Sequence, residues 1–330
     1  MLNIINTSTD PHFNLALEEY FLTNNLFDED ALILWQNSPA IIVGKHQNSM
    51  AEINYPFVKA HDIPVVRRLS GGGAVYHDLG NLNFTFILNR HFAKNDMAFF
   101  TKPVIEVLRH LNIDAAFTGR NDITIDGKKF SGNAQYLTKN KMLHHGTLLF
   151  ETDLRQLAHA LSGKAAKFTS KAIPSQASPI TNISSHLSAS LSLSEFKALL
   201  TQHIFQVQGK PYRDYQLSAH DKAEIRQLVK IRYESWDWNF GKSPAHNFHQ
   251  EKKFIGGTIH LYLNINGGTI TECKFCGDFF TRADLGELEE KLITLPYEEN
   301  HIRQILTGIE AERYFYNIAR EELLSCFFPP

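Results

Sequence analysis

Two arginines and a serine, Arg67, Arg68 and Ser70, stand directly before a run of three glycines at 71–73. Consecutive glycines let backbone N–H groups converge on an anion without β-carbons in the way. The planar fork of an arginine side chain suits a carboxylate or a phosphate. The segment therefore fits a cradle for an anionic ligand, and it equally fits a glycine-rich turn with two surface arginines.

The residues after these glycines exclude two familiar phosphate loops. No Gly-Lys-Ser or Gly-Lys-Thr follows at the spacing of a Walker A loop. The glycines are not spaced as in a dinucleotide fold, and the next segment has the pattern of a strand rather than a helix. That segment, 82–88, alternates apolar residues with others, which predicts a strand with one apolar face.

A second chemically informative segment surrounds Asp126-Gly127, a pair that strongly predicts a two-residue hairpin turn. Counting outward from the turn pairs Ile125 with Lys128, Thr124 with Lys129, Ile123 with Phe130, and Asp122 with Ser131. Because side chains alternate across a sheet, this register places Lys129 on the polar face beside the Asp122 carboxylate. Such a lysine can neutralise charge that develops on phosphate. On a solvated face the same ion pair would contribute only ~0–1 kcal/mol to the stability of the fold.

The elements that must position these residues follow from periodicity. An amphipathic helix is predicted over 13–23, starting near Asp10-Pro11, and another over 98–111. Strands are predicted at 31–35 and 40–43. Trp35, at the end of the first of these strands, fits either the core or the wall of an apolar ligand pocket.

Two adjacent histidines, His144 and His145, begin a further predicted strand that runs to residue 150. Neighbouring side chains of a strand point to opposite faces, so these two cannot both ligate one metal ion without distortion. We expect one of them to be buried and the other to lie at a site.

Length and composition bound the class of protein. The 330 residues predict about two domains at ~150 residues each. A net charge of −2 gives no reason to expect nucleic-acid or membrane binding through bulk electrostatics. No apolar stretch approaches the ~20 residues of a spanning helix, and we expect no signal peptide. Three cysteines, an odd and small number, indicate a reduced, cytoplasmic setting.

The last quarter of the chain has the pattern of a small α+β unit. The polar run 245–253 predicts a linker, 258–265 and 269–276 predict a hairpin, and three helices are predicted near 282–293, 298–307 and 310–325. Cys273 and Cys276 have a metal-like spacing, but an isolated pair cannot complete a tetrahedral site, which favours a plain strand. Residues 163–190 predict a long exposed loop that covers a site.

These motifs together resemble those of a lipoate–protein ligase. The matching residues are Asn14-Leu15-Ala16-x-Glu18-Glu19, Gly44-x-x-Gln47-Asn48, Arg67-Arg68-x-Ser70-Gly71-Gly72-Gly73-Ala74-Val75-Tyr76-His77-Asp78-x-Gly80-Asn81, Gly119-Arg120-Asn121-Asp122, Lys129-x-Ser131-Gly132 and His144-His145-Gly146-Thr147-Leu148-Leu149. They follow the order of the family over residues 10–150, and the resemblance extends over nearly the whole chain.

The resemblance implies a two-step reaction. ATP and lipoate condense to lipoyl-adenylate and pyrophosphate, and the lipoyl group then passes to a lysine of a carrier. The carrier is a lipoyl domain of a 2-oxoacid dehydrogenase acyltransferase subunit or the glycine-cleavage H protein. The implied fold is α+β: a class II synthetase or biotin-ligase-like catalytic domain over 1–244, and a small C-terminal α+β accessory domain over 245–330. We expect a cytoplasmic monomer without nucleic-acid or membrane partners.

The resemblance also assigns site residues. Lys129 would hold the carboxylate and α-phosphate and act in both steps, Asp122 would ligate Mg²⁺, and Trp35 would wall the lipoate tail. Arg68, Ser70 and Gly73 would border the lipoyl and phosphate groups, Val75, Tyr76 and Asn81 would meet the nucleotide, and His77 and His145 would lie near the lipoate pocket. The remaining residues of the expected binding set are Gly72, Ala74, Ser131 and Thr147.

One loop departs from the family pattern. Ala172 replaces a usual glycine, and Ala177 and Pro179 stand where arginines are common. This change leaves open a specialised paralogue with a narrow carrier or an unusual acyl donor.

Three rival interpretations stay open on the sequence. An ATP-independent lipoyl or octanoyl transferase would use a cysteine nucleophile, and all three cysteines lie beyond residue 270, outside the motifs. A biotin ligase would carry a Gly-Arg-Gly-Arg type of loop, which is absent. The third rival is a non-catalytic carrier-binding protein on a ligase scaffold, and the intact Lys129 and Asp122 argue against it.

Overall fold

The computed structural model describes residues 1–24, 29–89, 97–118, 121–161, 179–208, 212–240, 247–266 and 268–328. The chain forms two compact units. The first consists of Met1–Ile42, Ile53–Val66 and Val75–Ser235, and the second of Val43–Glu52, Arg67–Ala74 and Trp236–Pro330. Two short stretches from the first quarter of the chain thus fold with its end. The domain boundary between 244 and 245 stays a prediction, since it falls outside the described residues.

Eleven strands are described in the chain up to residue 235. They are β1 (Leu2–Ile5), β2 (Ala31–Trp35), β3 (Ala40–Val43), β4 (Val65–Arg67), β5 (Val75–His77), β6 (Asn81–Leu88), β7 (Ala115–Phe117), β8 (Asp122–Ile125), β9 (Lys128–Leu137), β10 (Met142–Leu149) and β11 (Arg213–Gln216). Eight of them form one sheet in the order β11-β1-β2-β6-β10-β9-β8-β7, and the other three form a sheet in the order β4-β3-β5. The predicted strands at 31–35 and 40–43 are confirmed.

The helices described before residue 240 are α1 (Pro11–Thr23), α2 (Ser49–Glu52), α3 (Tyr55–Ala60), α4 (Met97–His110), α5 (Leu154–Ala160), α6 (Leu193–Gln208), α7 (Ala219–Leu228) and α8 (Trp236–Asn239). A 3₁₀ turn covers Ile183–His186, and a π-helical turn, Val229–Tyr233, continues α7. The predicted helix over 98–111 is confirmed as α4 within one residue at each end.

Strand β6 is central, paired with β2 on one side and β10 on the other, both antiparallel. The sequence predicted a strand with one apolar face, but all eight residues of β6 are buried. Phe84 and Phe86 face a hydrophobic core that also contains Phe100 and Phe130. The opposite face of the strand is buried although it is polar, and it forms part of the site described below.

Helix α1 starts where the sequence predicted, because the Asp10 side chain accepts a hydrogen bond from the His12 amide and Pro11 occupies the first turn. The prediction of an amphipathic helix was wrong. Residues 14–22 are all buried, including Glu18 and Glu19. Burying a carboxylate is costly unless it is paired, so these two side chains must find partners inside the protein.

The hairpin of β8 and β9 follows the predicted register near its turn, pairing Ile125 with Lys128 and Thr124 with Lys129. Beyond that point a bulge shifts the pairing by one residue. Ile123 therefore pairs with Ser131 instead of Phe130, and Asp122 pairs with Gly132 instead of Ser131. The Lys129 backbone makes other bonds: its N–H donates to the Pro179 carbonyl at 2.7 Å, and its carbonyl accepts from the Thr181 amide at 3.0 Å.

The C-terminal part of the second unit contains β12 (Phe248–Phe254), β13 (Gly257–Asn266) and β14 (Thr269–Gly277), followed by α9 (Leu285–Leu292), α10 (Glu299–Thr307), α11 (Ala311–Tyr314) and α12 (Arg320–Phe327). The hairpin predicted from 258 to 276 is confirmed as β13 and β14, and Cys273 and Cys276 lie within β14. The predicted linker 245–253 was wrong where it is described, because from Phe248 it pairs with β13 as an edge strand.

The helix predicted over 310–325 is divided into α11 and α12. Asn317, between them, has a φ of +54°, a left-handed conformation that ends a helix. No helix in the described part of the chain is long and apolar enough to cross a membrane.

Candidate active site

Lys129 and Asp122 form an ion pair at the start of β9 and β8, with 2.8 Å between Nζ and Oδ1. Their side chains are 29% and 25% exposed, so solvent or a ligand can reach both. The bonds of the Lys129 backbone to Pro179 and Thr181 fix the main chain beneath the ammonium group. The prediction that Lys129 lies beside the Asp122 carboxylate is confirmed.

Gly132 makes room for the Lys129 side chain. A β-carbon on Gly132 would lie 3.1 Å from the lysine Nζ, tighter than ordinary contacts. Its backbone N–H donates to Thr147 Oγ1 at 3.1 Å, which ties this glycine to β10. We did not select Gly132 from the sequence, although it belongs to the Lys-x-Ser-Gly motif. Ser131 is buried, and its hydroxyl accepts a hydrogen bond from Asn133.

The polar face of β6 carries two buried asparagines, Asn81 and Asn83, joined by a hydrogen bond of 3.0 Å. Within the described residues, Asn81 Oδ1 and Asn83 Nδ2 have no hydrogen-bond partner. Unsatisfied buried polar atoms cost about 1–3 kcal/mol each, so an additional group is expected there. Thr147 pairs with Asn83 across the strands, which places a hydroxyl beside these two amides.

A chain of hydrogen bonds joins Trp35 to His145. Trp35 Nε1 donates to Thr85 Oγ1 at 2.9 Å, and the Thr85 hydroxyl donates to Glu18 Oε1 at 2.5 Å. The same Glu18 oxygen lies 3.0 Å from His145 Nδ1. All four side chains are buried, so Glu18 has the internal partners that its burial requires. The sequence analysis did not select Glu18 as a site residue. Its place in the Asn-Leu-Ala-x-Glu-Glu motif could have indicated it.

His77 lies beside the same tryptophan. Its ring centroid is 6.0 Å from that of Trp35 in an edge-on arrangement, and its Nδ1 is 3.0 Å from Asn37 Nδ2.

Tyr76 is buried, and this burial, with the nearby Asp78 and Asp153 carboxylates, raises the pKa of its phenol to about 12. Tyr76 is therefore a neutral hydroxyl at physiological pH.

His144 faces the core on the other side of β10, stacked on Phe100 with 4.4 Å between ring centroids. Burial holds the pKa of His144 well below its usual value, so its ring is neutral. The predicted division of the two histidines between opposite faces is confirmed.

The glycine-rich loop belongs to the second unit. Arg68 is buried there, and its guanidinium donates to Ser70 Oγ at 3.0 Å and to the carbonyls of Gly71 and Gly73 at 2.6 and 2.9 Å. Gly72 has a φ of +92°, a conformation that favours glycine. Gly72 is thus needed for the turn, and Arg68 binds the loop itself. Its predicted contact with a ligand stays a prediction.

Arg67 is completely buried and binds backbone from two separated stretches of the second unit. Its guanidinium donates to the carbonyls of Gly44, Gln47 and Trp238 at 2.8, 2.7 and 2.7 Å. Burial lowers the pKa of Arg67 to about 10, and the side chain is still a cation at neutral pH. No pattern in the sequence predicted that both arginines would be buried.

The predicted site residues are divided between the two units. The residues of the first unit are Trp35, Val75, Tyr76, His77, Asn81, Asp122, Lys129, Ser131, His145 and Thr147, and those of the second are Arg68, Ser70, Gly72, Gly73 and Ala74. Gly119-Arg120 and the altered loop from Ser170 to Ala177 lie outside the described residues.

Asp122 is a reasonable ligand for one divalent cation. Mg²⁺ commonly binds proteins through one or two carboxylates and completes its shell with substrate phosphates and water. In the part of the chain that is described, no group of three or more His, Cys, Asp or Glu side chains could hold a metal ion by itself. A cation at Asp122 would therefore depend on phosphate oxygens from a bound nucleotide.

Comparison with known protein families shows to which family the chain belongs. Residues 10–205 match the lipoyl protein ligase A/B catalytic domain, and residues 243–327 match the C-terminal domain of bacterial lipoate protein ligases. The chain belongs to the lipoate–protein ligase family. It is 42% identical over 328 residues to lipoate–protein ligase LplJ of Bacillus subtilis, covering 97% of both chains. It is 40% identical over 325 residues to lipoate–protein ligase 1 of Staphylococcus aureus, covering 97% of both.

Solved structures agree with this assignment. LipL1 of P. falciparum in complex with lipoate superposes with a TM-score of 0.80 at 27% identity, covering 94% of each chain. A lipoate–protein ligase A bound with ATP gives a TM-score of 0.62 at 25% identity over 73% of this chain and 98% of the other. A bipartite ligase of Thermoplasma acidophilum, studied with its E2 lipoyl domain, gives 0.63 at 25% identity over 75% and 98%. The predicted α+β fold, with a lipoate-ligase catalytic domain and a C-terminal accessory domain, is confirmed.

Proposed function

We propose that this protein condenses lipoate with ATP to lipoyl-adenylate, and transfers the lipoyl group to a lysine of a carrier protein. The observation that carries the proposal is the Lys129–Asp122 pair, 2.8 Å apart and reachable from solvent, in a chain that belongs to the lipoate–protein ligase family. Adenylation requires a cation near the reacting carboxylate and α-phosphate, and the pair provides one lysine and one carboxylate in contact.

In the first step, a lipoate carboxylate oxygen attacks the α-phosphorus and pyrophosphate leaves. Lys129 neutralises the charge that develops on the phosphate oxygens, and its fixed backbone reduces the reorganisation that this requires. Asp122 would hold Mg²⁺, which supplies further positive charge to the phosphates when it is bound. The unpartnered Asn81 Oδ1 can accept a hydrogen bond from a nucleotide hydroxyl.

The lipoate tail would lie against Trp35, whose indole is held by the Thr85 and Glu18 hydrogen bonds. An aromatic wall with a few polar groups around it is typical of small-molecule pockets. His77 lies beside the tryptophan, and His145 is linked to it through Glu18 and Thr85. The two histidines would define the end of the pocket.

In the second step, the amine of the carrier lysine attacks the acyl carbon of the adenylate and AMP leaves. The attack needs no nucleophile from the enzyme, and Lys129 stabilises the departing phosphate. Cys273, Cys276 and Cys326 are all buried. Burial raises the pKa of the Cys273 thiol, and raises that of Cys326 to about 12, so neither forms a ready thiolate. This argues against the rival transferase that uses a cysteine and no ATP.

The test is lipoate-dependent release of pyrophosphate from ATP and Mg²⁺ without carrier, followed by transfer to an apo lipoyl domain. We expect release by the wild-type chain, and a loss of at least about 100-fold in both steps for Lys129→Ala. The variant Lys128→Ala, which makes the same change at the exposed neighbouring lysine, serves as the matched control and should retain both activities.

Turnover at wild-type rates by a folded Lys129→Ala protein would contradict the assignment. Absence of release from the folded wild type would favour a paralogue that takes lipoyl groups from another protein. Two further expectations stay predictions: lipoyl domains, the glycine-cleavage H protein or both are the carriers, and the protein acts as a cytoplasmic monomer.

A further inference from the structure

The two peptide groups that flank the α-carbon of Asp122 each have a carbonyl that accepts two hydrogen bonds. The Asn121 carbonyl accepts from the Asn133 backbone N–H at 2.8 Å and from Asn133 Nδ2 at 3.0 Å. The Asp122 carbonyl accepts from the Thr118 backbone N–H at 2.9 Å and from Thr118 Oγ1 at 3.0 Å. Because a peptide group is planar, holding its carbonyl holds the whole group. The main chain on both sides of Asp122 is therefore fixed, and with it the direction of the carboxylate.

Asn133 makes these contacts from inside the sheet. It lies on β9, and the residue is 3% exposed. A β-carbon on Gly146, the residue that pairs with it on β10, would lie 2.4 Å from Asn133 Oδ1 and 2.5 Å from the ring of Phe84. Gly146 thus leaves the room that the asparagine amide occupies beside the hydrophobic core.

The stability of the sheet gives little reason for an amide at position 133. In the part of the chain that the structure describes, Asn133 Oδ1 has no hydrogen-bond partner. An unsatisfied buried acceptor is costly, and an apolar side chain of the same shape would avoid that cost. The amide does supply a donor, because Nδ2 bonds to the Asn121 carbonyl and to Ser131 Oγ at 3.2 Å. Its contribution is therefore to hold the residue that precedes Asp122.

The Asp122 carboxylate needs a defined direction if it is to bind Mg²⁺. This ion requires nearly octahedral geometry with ligand distances of about 2.0–2.1 Å, so a ligand that turns away binds it more weakly. Lys129 Nζ already occupies one side of the carboxylate, 2.8 Å from Oδ1. The carboxylate must therefore serve the lysine and the metal ion together, which a fixed main chain makes possible.

We propose that Asn133 and Thr118 are positioning residues that orient the Asp122 carboxylate toward Mg²⁺. The inference rests on the proposed function, in which Asp122 holds the metal ion that the nucleotide phosphates share. Both residues act through the main chain of the aspartate, and neither has to touch the metal ion or a substrate. Their removal should weaken binding of the metal-loaded nucleotide and leave binding of the metal-free nucleotide unchanged.

The first experiment uses Asn133→Leu, which keeps the shape of the side chain and removes its donor. The dissociation constant of the Mn²⁺–ATP complex is measured without lipoate from the EPR spectrum of Mn²⁺, so no turnover is needed. We expect this constant to rise about tenfold relative to wild type. The dissociation constant of ATP in EDTA, measured by calorimetric titration, should stay within about twofold, because metal-free nucleotide does not use the Asp122 carboxylate.

A double-mutant cycle separates positioning from a general loss of structure. Asp122→Asn alone should raise the dissociation constant of Mn²⁺–ATP about tenfold. If Asn133 acts through the carboxylate, Asn133→Leu/Asp122→Asn should show no further rise, because the effects of residues in one hydrogen-bond network are not additive. Fully additive effects would overturn the proposal.

Thr118 offers a conservative pair of variants at an exposed position. Thr118→Val loses the hydroxyl donor, and we expect the dissociation constant of Mn²⁺–ATP to rise about threefold, less than for the buried amide because water weakens an exposed hydrogen bond. Thr118→Ser keeps the hydroxyl and should retain the wild-type constant. If Asn133→Leu fails to fold, this pair still tests the proposal, and equal constants for its two variants would overturn it.

Gln135→Met is the matched control for the buried asparagine. Gln135 lies two residues further along the same face of β9, is buried, and has its Nε2 3.1 Å from His144 Nδ1. The variant removes a buried amide whose hydrogen bond goes to β10 instead of to the residue before Asp122. We expect the wild-type constant for Mn²⁺–ATP. A rise equal to that of Asn133→Leu would overturn the proposal.

Failure of the positioning role and failure of the proposed function give different results. An unchanged Mn²⁺–ATP constant in folded Asn133→Leu overturns the positioning role, as does an equal loss of metal-free ATP binding. An unchanged constant in Asp122→Asn removes the metal ligand and overturns the inference as well. If the wild type binds Mn²⁺–ATP but releases no pyrophosphate with lipoate, the proposed function fails separately, and the binding series still decides the roles of Asn133 and Thr118.

Discussion

The ammonium group of Lys129 lies 3.1 Å from the point that a β-carbon on Gly132 would occupy. The glycine is therefore part of the environment of the lysine, although it has no side chain. Because Gly132 N–H is tied to Thr147 and the Lys129 backbone to Pro179 and Thr181, neither main chain can retreat easily. The side chain of the lysine must yield to any substitution at the glycine.

We expect Gly132→Ala to lower the rate of carrier-free pyrophosphate release by about tenfold, because Lys129 Nζ must move by a few tenths of an ångström and a displacement of about 1 Å in a reacting group can cost about 100-fold. The thermal midpoint should change little. Gly286→Ala, at a helical position with ordinary contact distances, is the control and should leave the rate unaltered. Wild-type activity in Gly132→Ala would show that Lys129 does not need its present position.

Asp122→Asn tests the proposed metal ligand. The amide keeps the shape of the side chain but loses its charge, so the Mg²⁺ concentration for half-maximal pyrophosphate release should rise about tenfold. The KM for lipoate should not change. The control is Asp126→Asn in the turn of the same hairpin, where the carboxylate is 76% exposed. A Mg²⁺ dependence equal to that of wild type would remove Asp122 from the metal site.

Glu18→Ala should affect both stability and lipoate binding. Without the carboxylate, the Thr85 hydroxyl and the His145 ring lose a buried acceptor, which should lower the free energy of unfolding in urea by about 2–3 kcal/mol. Because Trp35 is held through Thr85, the KM for lipoate should rise more than the KM for ATP. Glu224→Ala, on the exposed side of α7, should change neither. Equal effects on both KM values would indicate a general loss of structure.

Asp221 should make stability depend on pH. Burial raises the pKa of this carboxyl, but hydrogen bonds from the hydroxyls of Tyr20, Ser218 and Tyr215 outweigh burial and hold it below the usual 3.8. Its stabilising effect is thus complete above the pKa of the unfolded state and is lost as pH falls through the lower pKa of the folded state.

Asp221→Asn should therefore lower the free energy of unfolding at pH 7 by about 1–3 kcal/mol. The difference from wild type should shrink as the pH falls below about 4. Urea unfolding at pH 7, 5 and 3.5 measures both effects. A difference that is constant over this range would mean that the charge of Asp221 is not involved.

Local patterns in the sequence were enough to predict many helices, strands and turns of the first unit. Asp126-Gly127 predicted the turn, and the turn predicted the pairing of Lys129 with Thr124. The register failed one residue further on, at a bulge next to the point where the Lys129 backbone bonds with Pro179 and Thr181. Those partners are about 50 residues away along the chain, and no local pattern could indicate them.

The sequence also could not show which stretches form the second unit, because they are far apart along the chain. A β-carbon on Gly44 would lie 2.0 Å from the Gly72 carbonyl oxygen, so the two glycines are in close backbone contact. The sequence shows both glycines but not that they meet. Similarly, the polar run 245–253 has only Ala245 and Phe248 as apolar residues, too few to predict a strand. Strand β12 forms because it can pair with the edge of β13.

The buried Arg67 has a consequence for the order of folding during synthesis. Its guanidinium is satisfied in part by the Trp238 carbonyl, and the Asn239 side chain accepts its backbone N–H at 2.9 Å. A nascent chain of 235 residues already contains the arginine and the glycine loop, but not these acceptors. The Arg67 guanidinium and backbone N–H cannot all be hydrogen-bonded in the interior until residues 238 and 239 have left the ribosome. The glycine-rich loop of an early fragment would therefore remain unformed while the large sheet can already assemble.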